Sequence, residues 1–240
     1  MNWVFTRNPK PGTRNFLMLI DLHTHTFASD GVLLPSELIR RAIAAGYRAI
    51  GITDHGDETN MEDLLLRAKK AARVWTGNEG AASENIIVVP GVEITHVPPD
   101  RIPAVAAWAR ELGAKIVIVH GETVTEPVAP GTNAAAVRCP NVDILAHPGL
   151  LSEEDAGIAA RNNVYLEITS RKGHSAANGR VAAVAAKAGA ELIFGTDTHD
   201  PGDLATVEHA RKILLAAGIA EGAVERVFKN AERLLEKITG

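Results

Sequence analysis

The stretch Phe16-Leu-Met-Leu-Ile-Asp-Leu-His-Thr-His25 contains an apolar run that ends in two histidines. Its first seven residues, Phe16–Leu22, have the length and composition of a strand buried on both faces, as in parallel sheets. Side chains two residues apart on a strand point to the same side, so His23 and His25 can bind one ion together. The stretch therefore predicts a buried strand whose carboxyl end carries a metal-binding pair.

Similar apolar runs recur along the chain, and a helix-like segment separates each run from the next. This alternation predicts an α/β fold in which helices cover a parallel sheet, and periodicity alone allows an open or a closed sheet. The seven predicted strands are Phe16–Leu22, Arg48–Thr53, Asn85–Val92, Lys115–Val119, Val142–Ala146, Val164–Ile168 and Glu191–Gly195. The predicted helices are Pro35–Ala45, Met61–Trp75, Pro103–Leu112, Thr132–Val137, Glu153–Ala160, Ala176–Ala188, Asp203–Ala217 and Ala220–Thr239.

Composition narrows the classes of protein that this chain can belong to. Apolar residues make up 46% of the 240 residues, enough for a full core in one domain. The 25 basic and 29 acidic residues give a net charge of −4, which argues against a general nucleic-acid-binding surface. A local basic pocket for a small molecule is still compatible with this charge, and nucleic acid is expected only as a nucleotide or an oligonucleotide end.

The amino-terminal residues, the apolar runs and the cysteine content predict the domain organisation and the location of the protein. Residues 1–15 are polar, contain two prolines and lack the apolar core of a signal peptide, so they predict a flexible extension ahead of one domain over residues 16–240. No apolar run reaches the roughly 18 residues needed to span a bilayer. Cys139 is the single cysteine, which rules out a disulfide within the chain and favours a reducing, cytoplasmic location.

Ionisable side chains collect where the predicted strands end. Carboxyl ends of parallel strands meet at one edge, and barrel folds place their active sites there. Burying so many of these groups without a metal would cost several kcal/mol each. Imidazole and carboxylate donors suit Zn²⁺, Mn²⁺ or Fe²⁺, so the pattern predicts a multinuclear metal site. The nine candidate ligands are His23, His25, Asp30, His55, Glu93, His120, His147, Asp197 and His199.

The motifs that carry these residues resemble the polymerase and histidinol phosphatase (PHP) family. They are DLHTHT, SDG, GITDH, PGVE, VIVHG, LAHPG and GTDTH, in this order between about Asp21 and Asp200. The resemblance implies a distorted, TIM-like barrel of seven strands, (β/α)7, which agrees with the strand count. It also implies up to three metal ions and the hydrolysis of a phosphate ester, as in histidinol phosphatases.

The resemblance further implies how the nine ligands are shared among two or three divalent ions. Glu93 is expected to bridge the first and second ions. Asp30 stands where many family members have histidine, which makes the third site harder and more anionic. The implied sets are His23, His25, Glu93 and Asp197 for the first ion, Glu93, His120 and His147 for the second, and Asp30, His55 and His199 for the third.

The expected chemistry is attack on phosphorus by a hydroxide that bridges two metals. Coordinated water is acidified near neutral pH, and the metals neutralise the phosphate oxygens and the leaving alkoxide. Glu93, Asp197 and His199 are expected to be catalytic through the ions that they hold.

The loop after the sixth predicted strand, Ser170-Arg171-Lys172-Gly173-His174, has two interpretations. It is a solvated basic loop, or it is a phosphate clamp in which Arg171 offers a planar fork and Ser170 a hydroxyl. Ser-Arg-Lys-Gly also resembles a stretch in phosphatase-type family members. We expect Ser170, Arg171 and Lys172 to bind substrate, and His174 to contact substrate or be exposed. His96 is expected to face substrate or to pack behind the ligands.

Two rival functions stay open at this level. An amidohydrolase also begins with His-x-His, but it commonly has eight strands and a bridging lysine where this chain has His120, and Lys115 lies at the start of that strand. A non-catalytic PHP module that supports a protein partner would lose ligands, whereas all nine positions are filled here. Histidinol phosphate, a nucleotide, a sugar phosphate and an oligonucleotide end would all suit the metals as substrates.

Overall fold

The computed structural model describes residues 18–76 and 86–240, in which parallel strands alternate with helices. The predicted extension and parts of the first and third predicted strands lie outside these residues. The strands are β1 Ile20–Asp21, β2 Ala49–Ile52, β3 His55–Gly56, β4 Ile87–Ile94, β5 Ile116–His120, β6 Ile144–Ala146, β7 Tyr165–Thr169 and β8 Leu192–Gly195. The α-helices are α1 Pro35–Ala44, α2 Met61–Thr76, α3 Ile102–Glu111, α4 Thr132–Arg138, α5 Glu153–Asn162, α6 Asn178–Ala188, α7 Val207–Ala216 and α8 Glu221–Thr239.

The strands form one nearly closed parallel sheet. Its order is β1-β2-β4-β5-β6-β7-β8, and β3 pairs with β4 beyond the end of β2. Because β2 and β3 both pair with β4, one beyond the other, they count as a single interrupted strand of the barrel. Counted in this way, the barrel has seven strand positions, here called staves. Beyond β1 and β8, Thr24 bridges Thr198, and the backbone nitrogen of His25 donates to the Thr198 carbonyl over 2.8 Å. The predicted (β/α)7 barrel is confirmed.

Alternation along the strands separates the barrel interior from the layer beneath the helices. On β5, Ile116 and Ile118 belong to the inner apolar cluster, and Val117 and Val119 to the outer one. Successive side chains of a strand point to opposite faces, so His120 continues the inward row of Ile116 and Ile118. An apolar strand therefore presents its last residue, an imidazole, at the carboxyl end of the barrel interior.

Helix α8 closes the opposite end of the barrel. Its residues Leu234, Leu235 and Ile238 join the inner cluster, together with Ile20 at the start of β1 and Tyr165 at the start of β7. This packing fills the amino end with apolar side chains and leaves the carboxyl end for polar groups. Within the described parts of the chain, no helix has both the length and the apolar character needed to cross a membrane.

The helix after β8 starts later than the sequence predicts. It was expected from Asp203, but it begins at Val207, and Thr206 caps it by accepting from the backbone nitrogen of His209. Asp203 is not helical because its carboxylate accepts from the backbone nitrogens of His199, at 3.0 Å, and Asp200, at 2.9 Å. This carboxylate holds the loop that carries His199 instead of starting the helix.

Candidate metal centre

Glu93 lies at the middle of the ionisable cluster at the carboxyl end of the barrel. Its Oε2 lies 3.4 Å from His23 Nε2, 3.5 Å from His25 Nε2 and 2.8 Å from His55 Nδ1, and its Oε1 lies 3.6 Å from His147 Nε2. Burial alone would raise the pKa of Glu93, but the nearby imidazoles outweigh it and hold this pKa well below its usual value. One ionised carboxylate thus faces imidazoles on both sides, as a bridging ligand does.

Asp197 is the second buried carboxylate of the cluster, after Glu93. Its Oδ1 lies 3.1 Å from His25 Nε2, and its Oδ2 lies 3.6 Å from His147 Nε2. Burial raises the pKa of Asp197 to about 7, since the attraction of His23 does not offset burial and the repulsion of Glu93. The backbone of Asp197 has a φ of 53°, a conformation that aspartate tolerates better than most residues. A cation beside this carboxylate would restore its charged form.

A third group lies nearer to solvent. The Oδ1 of Asp30 is 3.0 Å from His199 Nε2 and 3.4 Å from His55 Nε2. One candidate donor atom from each of Asp30, His55, His199 and His25 lies within 4.8 Å of the other three. Burial lowers the pKa of His55, but Glu93 and Asp30 together raise it to about 10. The exposed carboxylate of Asp30 makes this the most accessible part of the cluster.

Unpaired buried atoms give a test of whether a metal fits this cluster. Among the described residues, eight buried side-chain nitrogen or oxygen atoms have no hydrogen-bond partner. An unsatisfied buried polar atom typically costs about 1–3 kcal/mol. Nitrogen and oxygen donors at this density suit divalent transition metals, which would satisfy them together. All eight atoms belong to His23, His25, Glu93, His147 and Asp197.

Glu167, on β7, orients two of the candidate ligands. Its Oε1 accepts from His23 Nδ1 over 2.7 Å, and its Oε2 accepts from the backbone nitrogen of His147 over 3.1 Å. A carboxylate behind an imidazole fixes the tautomer and directs the other ring nitrogen toward a metal. Gly195 makes room for this carboxylate, because a Cβ at that position would lie 2.1 Å from Glu167 Oε1.

Other imidazoles are fixed in the same way through their Nδ1 atoms. His199 Nδ1 lies 2.9 Å from the Asp197 carbonyl, and His120 Nδ1 lies 3.2 Å from the Gly121 carbonyl. A donated Nδ1 hydrogen leaves the Nε2 lone pair free. The Nε2 atom of His120 faces the carboxylate of Glu126, and the Nε2 atom of His199 faces the carboxylate of Asp30.

Arg171 lies beside the group that contains His199. Its Nη1 donates to Asp203 Oδ2 over 3.0 Å, and the same oxygen accepts from the backbone nitrogen of His199. Arg171 is partly exposed, Ser170 is partly buried, and Lys172 is exposed. The geometry therefore holds the Arg171 guanidinium at the metal-bearing edge.

Comparison with known proteins places the chain in a family. The PHP domain model matches residues 21–133, which include the first six of the nine candidate ligands. The chain belongs to the PHP family. A relative from Methanocaldococcus jannaschii, an uncharacterised protein, is 44% identical over 226 residues that cover 92% of this chain and all of the relative.

Other relatives carry functional names. A probable phosphatase of Thermoanaerobacter sp. is 28% identical over 244 residues, covering 92% of this chain and 96% of the relative. Among solved structures, the histidinol phosphate phosphatase of Lactococcus lactis, complexed with zinc, L-histidinol and phosphate, aligns with a TM-score of 0.60 and 16% identity over 84% of this chain and 94% of that one. A chain of archaeal ribonuclease P aligns with a TM-score of 0.66 and 16% identity over 90% of each chain. At this identity the structural matches show the fold alone.

The sequence did not single out Glu126 as part of this PHP site. Its carboxylate lies on the loop after β5, with Oε2 3.2 Å from His120 Nε2 and 3.5 Å from His96 Nε2, and Oε1 3.3 Å from His174 Nε2. His96 is half exposed at the rim. His174 is buried, so the expectation of an exposed side chain is wrong. Glu126 follows no strand directly, and the sequence therefore gives no spacing that would place it here.

Proposed function

We propose that this PHP protein is a metal-dependent phosphoesterase that hydrolyses a phosphate monoester. The observation that carries the proposal is the cluster of eight unpaired buried donor atoms around Glu93 and Asp197. These atoms lie at the carboxyl end of the barrel, and Asp203 holds the partly exposed Arg171 at the same end, near the backbone of His199. Relatives named probable phosphatases, and a histidinol phosphate phosphatase of the same fold, support the same class of reaction.

We assign the nine candidate ligands to three sets, of which the first two share the carboxylate of Glu93. The first set would be His23, His25, Glu93 and Asp197, the second Glu93, His120 and His147, and the third Asp30, His55 and His199. Zn²⁺, Mn²⁺ and Fe²⁺ suit these donors. When bound, such ions acidify water and neutralise charge on a phosphate group. The role of this chain is to hold two or three of them close together.

The chain's own side chains would bind and orient the phosphate. Asp203 holds Arg171 from one side, which leaves the rest of the guanidinium fork available for phosphate oxygens. Ser170 lies next to it and adds a hydroxyl group. Glu93 and Asp197 are buried, so their carboxylates lie out of reach of bulk water.

Two features favour a phosphoesterase over the rival functions. The fourth predicted strand ends in His120 where an amidohydrolase commonly has lysine, and the barrel has seven staves instead of eight. A non-catalytic module would not need five buried residues with unpaired donor atoms. The substrate that we favour is a small phosphate monoester, such as histidinol phosphate, a sugar phosphate or a nucleotide. We further propose a cytoplasmic location, since Cys139 is a buried free thiol.

The test is hydrolysis of p-nitrophenyl phosphate and a panel of metabolite phosphates by protein reloaded with Mn²⁺ or Zn²⁺. We expect turnover that a chelator abolishes and that Glu93→Gln removes. Glu122→Gln is the matched control, because among the described residues the Glu122 carboxylate accepts from the backbone nitrogens of Gly131 and Asn133 and from no candidate ligand. Metal-loaded wild-type protein that hydrolyses no phosphate ester, but does hydrolyse an amide, would replace this proposal with the amidohydrolase reading.

A further inference from the structure

We propose that His174 is a tenth metal ligand, which binds the same ion as His120 and His147. The inference rests on the proposed metal site and not on the reaction that the site performs. The sequence alone predicts that His174 contacts substrate or is exposed, but in the structure it is buried among candidate ligands.

His174 packs directly against the two candidate ligands of the second ion. Its ring lies 4.2 Å from the ring of His147, with an angle of 15° between the planes, and 5.8 Å from the ring of His120. One ring nitrogen from each of these three histidines lies within 4.8 Å of the other two. His174 is only 8% exposed, so its inner nitrogen faces the cluster instead of solvent.

The outer nitrogen of His174 is fixed by hydrogen bonding, as in the candidate ligands His120 and His199. Its Nδ1 lies 2.6 Å from Thr123 Oγ1 and 3.0 Å from Thr125 Oγ1. A hydrogen on Nδ1, donated to a hydroxyl oxygen, leaves the Nε2 lone pair available to a metal. His120 and His199 show the same pattern with backbone carbonyls.

The local sequence builds this position from two loops. Gly173 has a φ of 92°, which a residue with a side chain rarely adopts, and a Cβ there would lie 3.2 Å from Thr125 Cγ2. This glycine lets the backbone approach Thr125 just before His174 begins the 3₁₀ turn His174–Ala177. The close approach places the imidazole between the threonines and His147.

The charge around His174 also favours a cation. Glu126 places Oε1 at 3.3 Å from His174 Nε2 and Oε2 at 3.2 Å from His120 Nε2. One carboxylate thus faces the inner nitrogens of both histidines, and Glu93 lies on the far side with Oε1 at 3.6 Å from His147 Nε2. Two carboxylates and three imidazoles surround this position, which suits a divalent metal with nitrogen and oxygen ligands.

His96 is the matched comparison for His174. It also contacts Glu126, at 3.5 Å, and its ring stacks on His120 at 5.5 Å. It differs in being half exposed, and no hydrogen bond to its Nδ1 occurs within the described part of the chain. A residue that only neighbours the site should therefore behave like His96 when it is replaced.

The experiment compares metal binding by His174→Ala and His96→Ala after both proteins have been stripped with a chelator. Co²⁺ affinity is measured by titration in competition with a chelating dye. In separate samples without dye, the visible absorption of the bound Co²⁺ reports which ligands hold it. We expect His174→Ala to bind one ion at least about 10-fold more weakly and to change the Co²⁺ spectrum, since even loss of a group behind a ligand costs 10–100-fold. We expect His96→Ala to keep wild-type metal affinity and spectrum.

Unchanged metal affinity and spectrum in His174→Ala, with a raised KM for p-nitrophenyl phosphate, would overturn the inference and make His174 a substrate contact. The double variant Thr123→Val/Thr125→Val removes both hydroxyl groups beside His174 Nδ1 and decides the matter if His174→Ala does not fold. Weaker Co²⁺ binding supports the inference, and unchanged binding contradicts it. The Co²⁺ affinities and spectra are measured without substrate, so a wild-type protein that binds Co²⁺ through His174 but hydrolyses no phosphate ester would reject only the proposed reaction.

Discussion

Replacing Glu167 by glutamine tests whether the group behind the ligands controls the metal site. Glu167 accepts from His23 Nδ1 over 2.7 Å with one oxygen and from the backbone nitrogen of His147 over 3.1 Å with the other. Glutamine keeps the shape but has a single acceptor oxygen. Whichever donor receives that oxygen, the other faces the amide NH₂, so one hydrogen bond becomes a contact between two donors.

The size of the effect follows from these two contacts. A hydrogen bond to a charged group contributes about 1.5–3 kcal/mol, and loss of a carboxylate behind a metal-bound histidine typically lowers metal affinity 10–100-fold. Both contacts are fully buried, so water does not replace either of them. We therefore expect Glu167→Gln to bind its weakest Zn²⁺ or Mn²⁺ ion about 10–100-fold less tightly than wild type.

The assay is chelator competition on stripped and reloaded protein, with elemental analysis of the final sample. Glu122→Gln serves as the control, because the single oxygen Oε1 of Glu122 accepts from both of its backbone partners and glutamine can keep that oxygen. Equal metal affinity in Glu167→Gln, Glu122→Gln and wild type would refute the claim that Glu167 orients His23 for a metal.

Three further variants follow from the same geometry. Glu93→Ala should lose more metal by elemental analysis than His55→Ala, because Glu93 faces imidazoles of all three sets and is expected to bridge two ions, whereas His55 serves one ion; equal loss would count against bridging. Gly195→Ala should weaken metal binding, since its Cβ would lie 2.1 Å from Glu167 Oε1, and chelator competition checks this. Arg171→Ala should keep its metals but lose about 10- to 100-fold in turnover and in inhibition by inorganic phosphate, as expected for a lost charge-assisted contact; unchanged kinetics would make the loop a solvated one.

The candidate site was predictable to the extent that strand geometry determines it. Ile116, Ile118 and His120 share one face of β5, so the alternation that makes the strand apolar also directs its final histidine inward. The same regularity at the ends of the other strands brings the nine predicted ligands to one edge. Residues whose positions depend on strand ends could therefore be read from the sequence.

Residues whose roles depend on contacts with neighbouring elements could not be predicted from the sequence. Glu167 lies within an apolar strand, and its function arises only because Gly195 on β8 leaves space for its carboxylate. Glu126 lies on a loop, where no periodicity fixes its direction. The sequence predicts that α7 begins at Asp203. This prediction was wrong because the Asp203 carboxylate accepts from backbone nitrogens of His199 and Asp200 in the preceding loop.

Stepwise reconstitution of metal-free protein tests the central claim most directly. Aliquots receive increasing equivalents of Mn²⁺ or Zn²⁺, and p-nitrophenyl phosphate hydrolysis is measured together with the bound metal in each. We predict no hydrolysis without metal and a rise that levels off at about two to three bound equivalents per chain, as expected for a site in which neighbouring ions share Glu93. Hydrolysis at the same rate in stripped and loaded protein, or less than one equivalent bound at saturation, would contradict it.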